Sequence, residues 1–500
     1  MSSSPATSNL EREAKLQAPA AFRLPELGGD GLVATDRERE RLVTVYVDTP
    51  DLRIVRWGCS LRHRQGEGWT VKLPSESNGS QLVRTEVNFE GEDARKLPTA
   101  VADLLRAYVR DGELGPVARL RTIRRGVEIT DEEGTPLAVV TDDEVSVMDG
   151  GRVASRFREL EVELEPAGDA DVAEDLVRRL EEAGAGPVDN VPKLVRALGP
   201  RAALPPDVQV PEVAEDASVI QVVRLELATS VVRLFHHDPG VRRGDDPEDV
   251  HQARVATRRL RSALRTFRDV LEPSWATSQR DTLRWLADDL GAVRDAEVLR
   301  DRIRSREPLL PESDRRSLED LLETLEDTRA EARERLLEGM RSPRYVSLLE
   351  DLVAAAREPR VLEEIADERA APALLPTLDG PWKHLKSALD QASEDPSDAS
   401  LHGARIRAKR VRYAAEAVTP VFGKRAAEFA KAAADLQEVL GEHQDSVVAR
   451  AWLREVAEEG SNAFAAGELS AIEAQAAADA RAAWPRARKA VSRKRLRFWA

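Results

Sequence analysis

The sequence predicts an α+β protein of two domains, a strand-rich N-terminal half followed by an all-α C-terminal half, and three observations carry that prediction. Segments with a two-residue polar/apolar period crowd the first 198 residues. Long stretches rich in Ala, Leu, Arg and Glu with a 3.6-residue period follow residue 217. Between them LGPRAALPPDVQVPEVAEDA, from Leu198 to Ala217, places four prolines and several acidic residues where the two textures meet, the composition of an interdomain linker. The expected boundaries are a first domain over 8–199, a linker over 200–216 and a helical domain over 217–500.

The strand elements are EREAK (Glu11 to Lys15), RLVTVYVDT (Arg41 to Thr49), SLRHR (Ser60 to Arg64), GWTVKL (Gly68 to Leu73), RTEVNF (Arg84 to Phe89) and RELEVELE (Arg158 to Glu165). Alternation places Glu11, Glu13 and Lys15 on one face, as it does Arg62 with Arg64 and Glu159, Glu161 with Glu163. Such a face is no dry core, because unpaired buried charges cost several kcal/mol each. Two readings stand open. The face is either a solvated outer surface or the wet lumen of a barrel, where carboxylates hold Mg²⁺ or Mn²⁺ and basic side chains bind phosphate.

The helical half is punctuated near Pro239, Pro308, Pro343, Pro359, Pro396 and Pro420. His236–His237 reads as a loop pair ahead of Asp238–Pro239. One basic helix is written twice, HQARVATRRLRSAL from His251 and LHGARIRAKRVRYAAE from Leu401, with matched residues 151 positions apart, as His251 and His402 are. Arg254 matches Arg405, Arg258 matches Lys409, Arg259 matches Arg410 and Arg261 matches Arg412. LADDLGAVRDAEVL from Leu286 matches LQEVLGEHQDSVVA from Leu436, with Asp295 over Asp445. The halves of this repeat are expected at about 217–345 and 346–500.

At roughly 100° per residue, His251, Arg254, Arg258, Arg261 and Arg265 fall on one stripe, opposite Leu260, Ala263, Leu264 and Phe267. His402, Arg405, Lys409 and Arg412 repeat it, whereas Arg407 faces the apolar side. Like charges at i, i+4 repel. A stripe this dense therefore needs counter-charges from neighbouring helices or a polyanionic ligand, and two related stripes suggest one continuous groove. Each histidine is either a helix-start residue bonded to a neighbouring helix or a direct phosphate contact. The basic segment Arg486 to Trp499 is either a frayed tail or an extension of the groove, with the second reading preferred.

A formal net charge of −15 argues against general nucleic-acid or membrane-surface binding, so the basic patches must be selective. Cys59 is the only cysteine, which excludes an intrachain disulfide and fits a reducing cytoplasm, and its expected role is a buried strand residue. No zinc-type spacing occurs, the N-terminus lacks the pattern of a signal peptide, and no stretch approaches about 18 apolar residues.

The N-terminal half resembles the CYTH family of triphosphate tunnel metalloenzymes, from about Leu10 to Leu198. EREAK matches that family's opening E-x-E-x-K. TVYVDTPDLRI, WGCSLRHRQGEGWTVKLP, RTEVNFEG, the arginines at Arg119, Arg121 and Arg124, TDDE (Thr141 to Glu144), FRELEVELEP and VPKLVRAL follow in family order. Val47 replaces a phenylalanine, and Asn190 stands where a serine is common, three residues before Lys193. The C-terminal half is similar to the CHAD family, the conserved-histidine α-helical domain, through His251, His402, LGAVRD and LGEHQD.

The resemblance implies an eight-stranded antiparallel tunnel followed by a pair of pseudo-symmetric four-helix bundles. It implies Mg²⁺ or Mn²⁺ ligands at Glu11, Glu13, Asp142 or Asp143, Glu161 and Glu163, with Glu159 as a further candidate. Strand alternation sends only one of Asp142 and Asp143 inward. Phosphates would meet Lys15, Arg62, Arg64, Lys72, Arg84, Arg121, Arg124 and Lys193, with Glu11, Glu13, Lys15, Glu161 and Glu163 central to catalysis. Inorganic polyphosphate would meet the basic helices through His251, Arg254, Arg258, Arg259, Arg261, Arg265, His402, Arg405, Arg407, Lys409, Arg410 and Arg412. The implied activity is metal-dependent hydrolysis of triphosphate or polyphosphate beside a polyphosphate-binding module. The competing reading is a non-catalytic scaffold that binds polyphosphate or targets its granules in the cytoplasm. An adenylate cyclase ranks third, and neither a nucleic acid nor a membrane is an expected partner.

Overall fold

The computed structural model describes residues 7–74, 82–459 and 462–499. The chain divides into two compact units, Met1–Asp207 and Val208–Ala500.

The first unit is built on nine antiparallel strands: β1 (Thr7–Gln17), β2 (Leu32–Asp36), β3 (Glu40–Asp48), β4 (Ser60–Arg64), β5 (Gly68–Pro74), β6 (Leu82–Phe89), β7 (Gly115–Asp131), β8 (Pro136–Asp149) and β9 (Arg152–Leu164). Eight of them close a barrel in the order β3-β4-β5-β6-β1-β9-β8-β7, with β7 returning to β3. The ninth, β2, is additional to the expected eight. It pairs with the far end of β7, from Leu32 opposite Asp131 to Asp36 opposite Val127, where β3 no longer reaches. A 17-residue β7 is long enough to serve both.

Five short helices accompany the barrel: α1 (Arg53–Arg56), α2 (Thr99–Leu104), α3 (Arg106–Val109), α4 (Ala170–Glu182) and α5 (Lys193–Leu198). The turn from β3 into α1 is set by Asp48, whose carboxylate accepts the amide N–H groups of Thr49, Ile54 and Val55 at 2.7, 2.9 and 2.9 Å. Leu176 and Leu180 of α4 pack on Leu16, Val140, Leu160 and Val162, so the apolar strand positions face outward under a helix. Leu194 of α5 packs with Tyr46, Val55, Leu120 and Val145. On the strands beneath α4 the alternate polar positions are left to the lumen. Tyr46, Leu120 and Val145 share the inward face with Arg62, Arg124 and Asp143 and form with Leu194 an apolar part of the interior.

The expected linker is shorter than its composition suggests. Residues Gly199–Ala203 form a 3₁₀ turn, Ala202 is buried in the barrel unit, and Asp207 accepts the Trp57 indole N–H at 2.9 Å and pairs with Arg110. Polar anchors hold this proline-rich segment to the barrel as far as the division point.

The second unit contains α6 (Val219–Arg243), α7 (Pro247–Thr266), α8 (Pro273–Arg304), α9 (Arg315–Arg341), α10 (Pro343–Arg357), α11 (Glu363–Ala366), α12 (Ala370–Leu374), α13 (Asp379–Glu394), α14 (Asp398–Phe422), α15 (Lys424–Glu459) and α16 (Ala463–Val491). Helices α6 to α9 pack in sequence, as do α13 to α16, and α7 meets α14 between the two sets. α10 packs back on α6 and α9, where Tyr345 donates its hydroxyl to Asp238 at 2.5 Å. The first half therefore runs on to Arg357, past the boundary expected at 345, because burial of Tyr345 ties α10 to the first bundle.

Two expectations about breaks are corrected. α6 continues through Pro239, so His236–His237 is helical, and His237 Nδ1 lies 2.8 Å from the Asp249 carboxylate. α14 likewise continues through Pro420. The C-terminal segment is docked rather than frayed: Trp499 packs on Phe429 and Trp382, with ring centres 4.6 and 6.4 Å apart, and Phe498 packs on Phe422 at 5.2 Å. Among the described residues no helix is long and apolar enough to cross a membrane.

Candidate functional site

Barrel closure gathers side chains that lie far apart in sequence. Register places Glu13 opposite Glu163, Lys15 opposite Glu161 and Glu11 opposite Arg84, and paired residues share a face. A cavity of about 440 Å³ opens among them. Its walls carry seven cations, Lys15, Arg62, Arg64, Lys72, Arg84, Arg124 and Lys193, and six carboxylates, Glu11, Glu13, Glu67, Glu86, Glu161 and Glu163. The near balance explains how so polar a lumen can exist without ligand, since Lys15, Lys72, Arg124 and Lys193 each meet a carboxylate.

Lys15 sits at the centre of that balance. Its ammonium meets Glu13 at 2.7 Å and pairs with Glu161. Burial opposes its charge, yet Glu161, Glu13 and Glu159 outweigh burial and hold it well above the usual lysine range. Burial likewise works against the Glu161 carboxylate, but Lys15, Lys193 and Arg124 keep it well below its ordinary value. Lys193 bonds Asp143 at 2.6 Å and Glu161 at 2.9 Å, and Arg124 holds Asp143 through a two-pronged contact at 2.9 and 2.7 Å. Lys72 reaches Glu11 at 2.7 Å and Glu86 at 3.2 Å, while Arg62 lies 3.6 Å from Glu86. The Asn190 side-chain oxygen accepts the backbone N–H of Lys15 at 3.3 Å, which ties the segment before Lys193 to β1.

Two carboxylates have unused capacity. Glu13 is 3% exposed, and its Oε1 has no hydrogen-bond partner. Glu163 opens onto the lumen, where the enclosing walls and then Glu11 push its carboxyl up to about 7. Among the described residues no three acidic, His or Cys groups stand close enough to hold a metal as placed. Their chemistry nonetheless fits one: oxygen donors from Glu11, Glu13 and Glu163 face one space, an orphaned carboxylate oxygen is among them, and their mutual repulsion is what a hard divalent cation relieves.

Most residues expected in the tunnel line this cavity, and four do not. Asp143 points toward the lumen side and is buried behind Arg124 and Lys193. Asp142 points the other way and is held by Arg158 at 2.7 Å, so it is corrected from the candidate metal set. Glu159 lies behind the cavity wall against Lys193 and Arg196, and burial raises its carboxyl. Arg121 is corrected as well, because it is exposed on the outer face of β7. It lies three residues from Arg124, an odd spacing that puts the two on opposite sides of a strand. Sequence reasoning missed Glu86, although its two-residue spacing from Arg84 on β6 places both on one face. Cys59 lines the cavity just before β4, and burial pushes its thiol far up.

In the second unit α7 and α14 present the duplicated basic face. Arg254 pairs with Asp295 at 2.9 Å and Arg405 with Asp445 at 3.8 Å, the same contact in both copies. Arg259 and Arg412 share Glu416, each at 2.7 Å. Ten arginines and lysines of the expected set thus meet three carboxylates in ion pairs. Burial and then Arg258, Arg405 and Arg254 push Lys409 down to about 7, so the two stripes share one field. The histidines differ: His402 bonds Gln444 at 2.7 Å, whereas burial lowers His251, with Arg294, Arg258 and Arg254 adding to the effect. Arg407 is not in the apolar core. It bonds the Gly403 carbonyl at 3.0 Å and lines a small cavity beside Arg265 and Arg410.

Comparison with known proteins adds family and relatives. The model of the CYTH domain matches residues 9–195, and that of the CHAD domain matches residues 226–454. An uncharacterized protein of Mycobacterium tuberculosis strain H37Rv is 32% identical over 475 residues, covering 88% of each chain. Among solved structures, the CHAD domain from the plant Ricinus communis is 29% identical, with a TM-score of 0.45, covering 57% of this chain and 95% of its own. PptA from Streptomyces chartreusis is 20% identical, with a TM-score of 0.46, covering 55% of this chain and 99% of its own.

Proposed function

This chain belongs to the family that joins a CYTH domain to a CHAD domain, and on that premise we propose that its tunnel hydrolyses triphosphate or polyphosphate with Mg²⁺ or Mn²⁺ while its helical unit binds inorganic polyphosphate. The observation that carries the reading is the mixed charge of one enclosed lumen. A site that only bound anions would gain nothing from Glu11, Glu13 and Glu163 beside its ligand, since like charges repel.

Phosphate groups of a bound chain would take over the cations now answered by carboxylates. Arg62, Arg64 and Arg84 would neutralise one run of phosphates, and Arg124 and Lys193 another. Lys15, fixed by Glu13 and Glu161, keeps its proton and supplies a positioned positive charge. Glu11, Glu13 and Glu163 would hold the metal, which supplies polarisation of the scissile P–O bond and of the attacking water. The products are orthophosphate and a shortened chain.

The test is orthophosphate release from tripolyphosphate, long-chain polyphosphate and ATP with Mg²⁺ or Mn²⁺, for wild type and Glu11→Gln/Glu13→Gln. Release lost in the double variant, with the polymer still bound, is the expected result. No release from any substrate, with binding still dependent on Arg254 and Arg405, would establish the scaffold reading instead.

A further inference from the structure

Because the two basic helices are copies, residues 151 positions apart should do the same job at opposite ends of the α7–α14 contact. The pairs Arg254–Asp295 and Arg405–Asp445 are equivalent, with the aspartates on α8 and α15 offset by 150 rather than 151 positions. Farther along the helices the equivalence breaks. At one end Glu416 binds Arg259 and Arg412, and Tyr413 packs beneath, its ring centre 5.3, 5.9 and 5.8 Å from the guanidinium carbons of Arg258, Arg259 and Arg412. The matching residues at the other end are Arg265 for Glu416, Arg410 for Arg259, Arg261 for Arg412 and Ser262 for Tyr413. The acid has become an arginine, and the ring has become a serine.

The consequence is a recess. Ser262, Arg265, Arg407, Arg410, Thr377 and His384 surround a cavity of about 150 Å³. Arg407 adds a further cation where the first copy has Ala256. Asp269, also on its wall, is held by Arg268 at 3.2 Å, and among the described residues no carboxylate comes within ion-pair distance of Arg265, Arg407 or Arg410. Burial, then Arg410, Arg280, Arg261 and Arg268, push Arg265 down to about 10. Cations crowded in this way repel by about 1 kcal/mol per pair at 4 Å in water and by more where water is excluded, so the cluster favours an anion. The recess is about a third the size of the 440 Å³ tunnel cavity, a scale that suits one phosphoryl group rather than a run of chain.

We propose that this recess takes the terminal phosphoryl group of a phosphate chain, so that the basic face recognises a chain end and fixes where on the α7–α14 face the polymer starts. The proposal rests on the reading of the helical unit as a polyphosphate binder. A terminal phosphoryl group has three free oxygens and a second ionisation near pH 6, whereas an internal one has two free oxygens and one charge. A cluster of three arginines therefore favours the end.

The test compares binding of free-ended polyphosphate with chains of equal length whose two ends are blocked as alkyl phosphoramidates, using the full-length protein. Arg265→Glu copies the ion pair that Glu416 makes at the other end, and Ser262→Tyr fills the recess as Tyr413 does, so both have a precedent within this fold. Ser262→Tyr should weaken binding of free-ended chains by about tenfold and leave blocked chains unchanged. Arg265→Glu should weaken free-ended chains about tenfold more than blocked ones, and the tunnel contributes equally to wild type and variants. Equal weakening of both chain types by either variant, or no change for either chain type, overturns the proposal. Pyrophosphate binding that is lost in the variants, without any free-end preference for the polymer, would assign the recess to a free phosphate species and overturn it too. Arg254→Ala/Arg405→Ala separates the two readings: it should weaken free-ended and blocked chains alike, and failure to do so would defeat the groove reading itself.

Discussion

The tunnel and the basic helices both concentrate cations, but they settle the charge in opposite ways. In the lumen, Lys15, Lys72, Arg124 and Lys193 are each answered by carboxylates on neighbouring strands. On α7 and α14, Arg265, Arg407 and Arg410 have no such answer among the described residues, and Lys409 is pushed down to about 7 by burial and its arginine neighbours. A balanced site can be closed and buried without ligand and retains acids for chemistry. An unbalanced one holds repulsion that loss of a proton or a bound anion relieves. The difference separates a site suited to reaction from a site suited to retention.

The largest expected effect tests the acids of the tunnel. Glu11→Gln/Glu13→Gln should lower orthophosphate release by about 10²–10³-fold with polymer affinity unchanged, as read by steady-state kinetics and a filter-binding assay. Next comes the cost of unbalancing the lumen. Glu161→Gln leaves Lys15, Lys193 and Arg124 short of a partner and should destabilise the barrel unit by about 3 kcal/mol, visible in urea unfolding followed by tryptophan fluorescence. An unchanged midpoint would mean that the cations relax into water.

On the helical side, Arg254→Ala/Arg405→Ala should reduce the salt dependence of polyphosphate binding by a slope of about 2, roughly one per lost phosphate contact. Lys409 supplies a pH signature. Its folded value near 7 lies below the value of about 10.4 in an unfolded chain, so the unfolded chain binds more protons between those limits and stability rises with pH across that window. Bound polyanion restores the proton. Polyphosphate affinity should therefore fall about tenfold from pH 6 to pH 8, and Lys409→Met should flatten the profile in titration calorimetry. The smallest effect belongs to Tyr413→Phe. Its hydroxyl is buried without a partner, so its removal should change the melting free energy by less than about 0.5 kcal/mol and leave the arginine stacking in place.

Much of the site was legible because strand parity is a strong rule. Glu11, Glu13 and Lys15 share a face whatever they pack against, and the lumen receives all three. The same rule, applied to Arg121 and Arg124, already separates them, yet both entered the candidate set through a family pattern that carries no parity. Asp142 and Asp143 were readable as one inward and one outward residue, but register with β7 was needed to choose between them. Glu86 was missed because a single glutamate on a strand looks solvated until closure brings Lys72 and Arg62 to it.

The sequence by itself determined the two textures, the division between them, the duplicated basic helix and the faces on which its charges lie, because periodicity and repetition are local properties of a chain. Only the tertiary structure decided that β7 serves β2 and β3 in turn, that the proline-rich segment packs on the barrel, and that α10 returns to the first bundle. It also decided which cations are neutralised and which are left bare. Ion pairing and desolvation depend on distances between residues as far apart as Arg259 and Glu416, and only folding sets those distances.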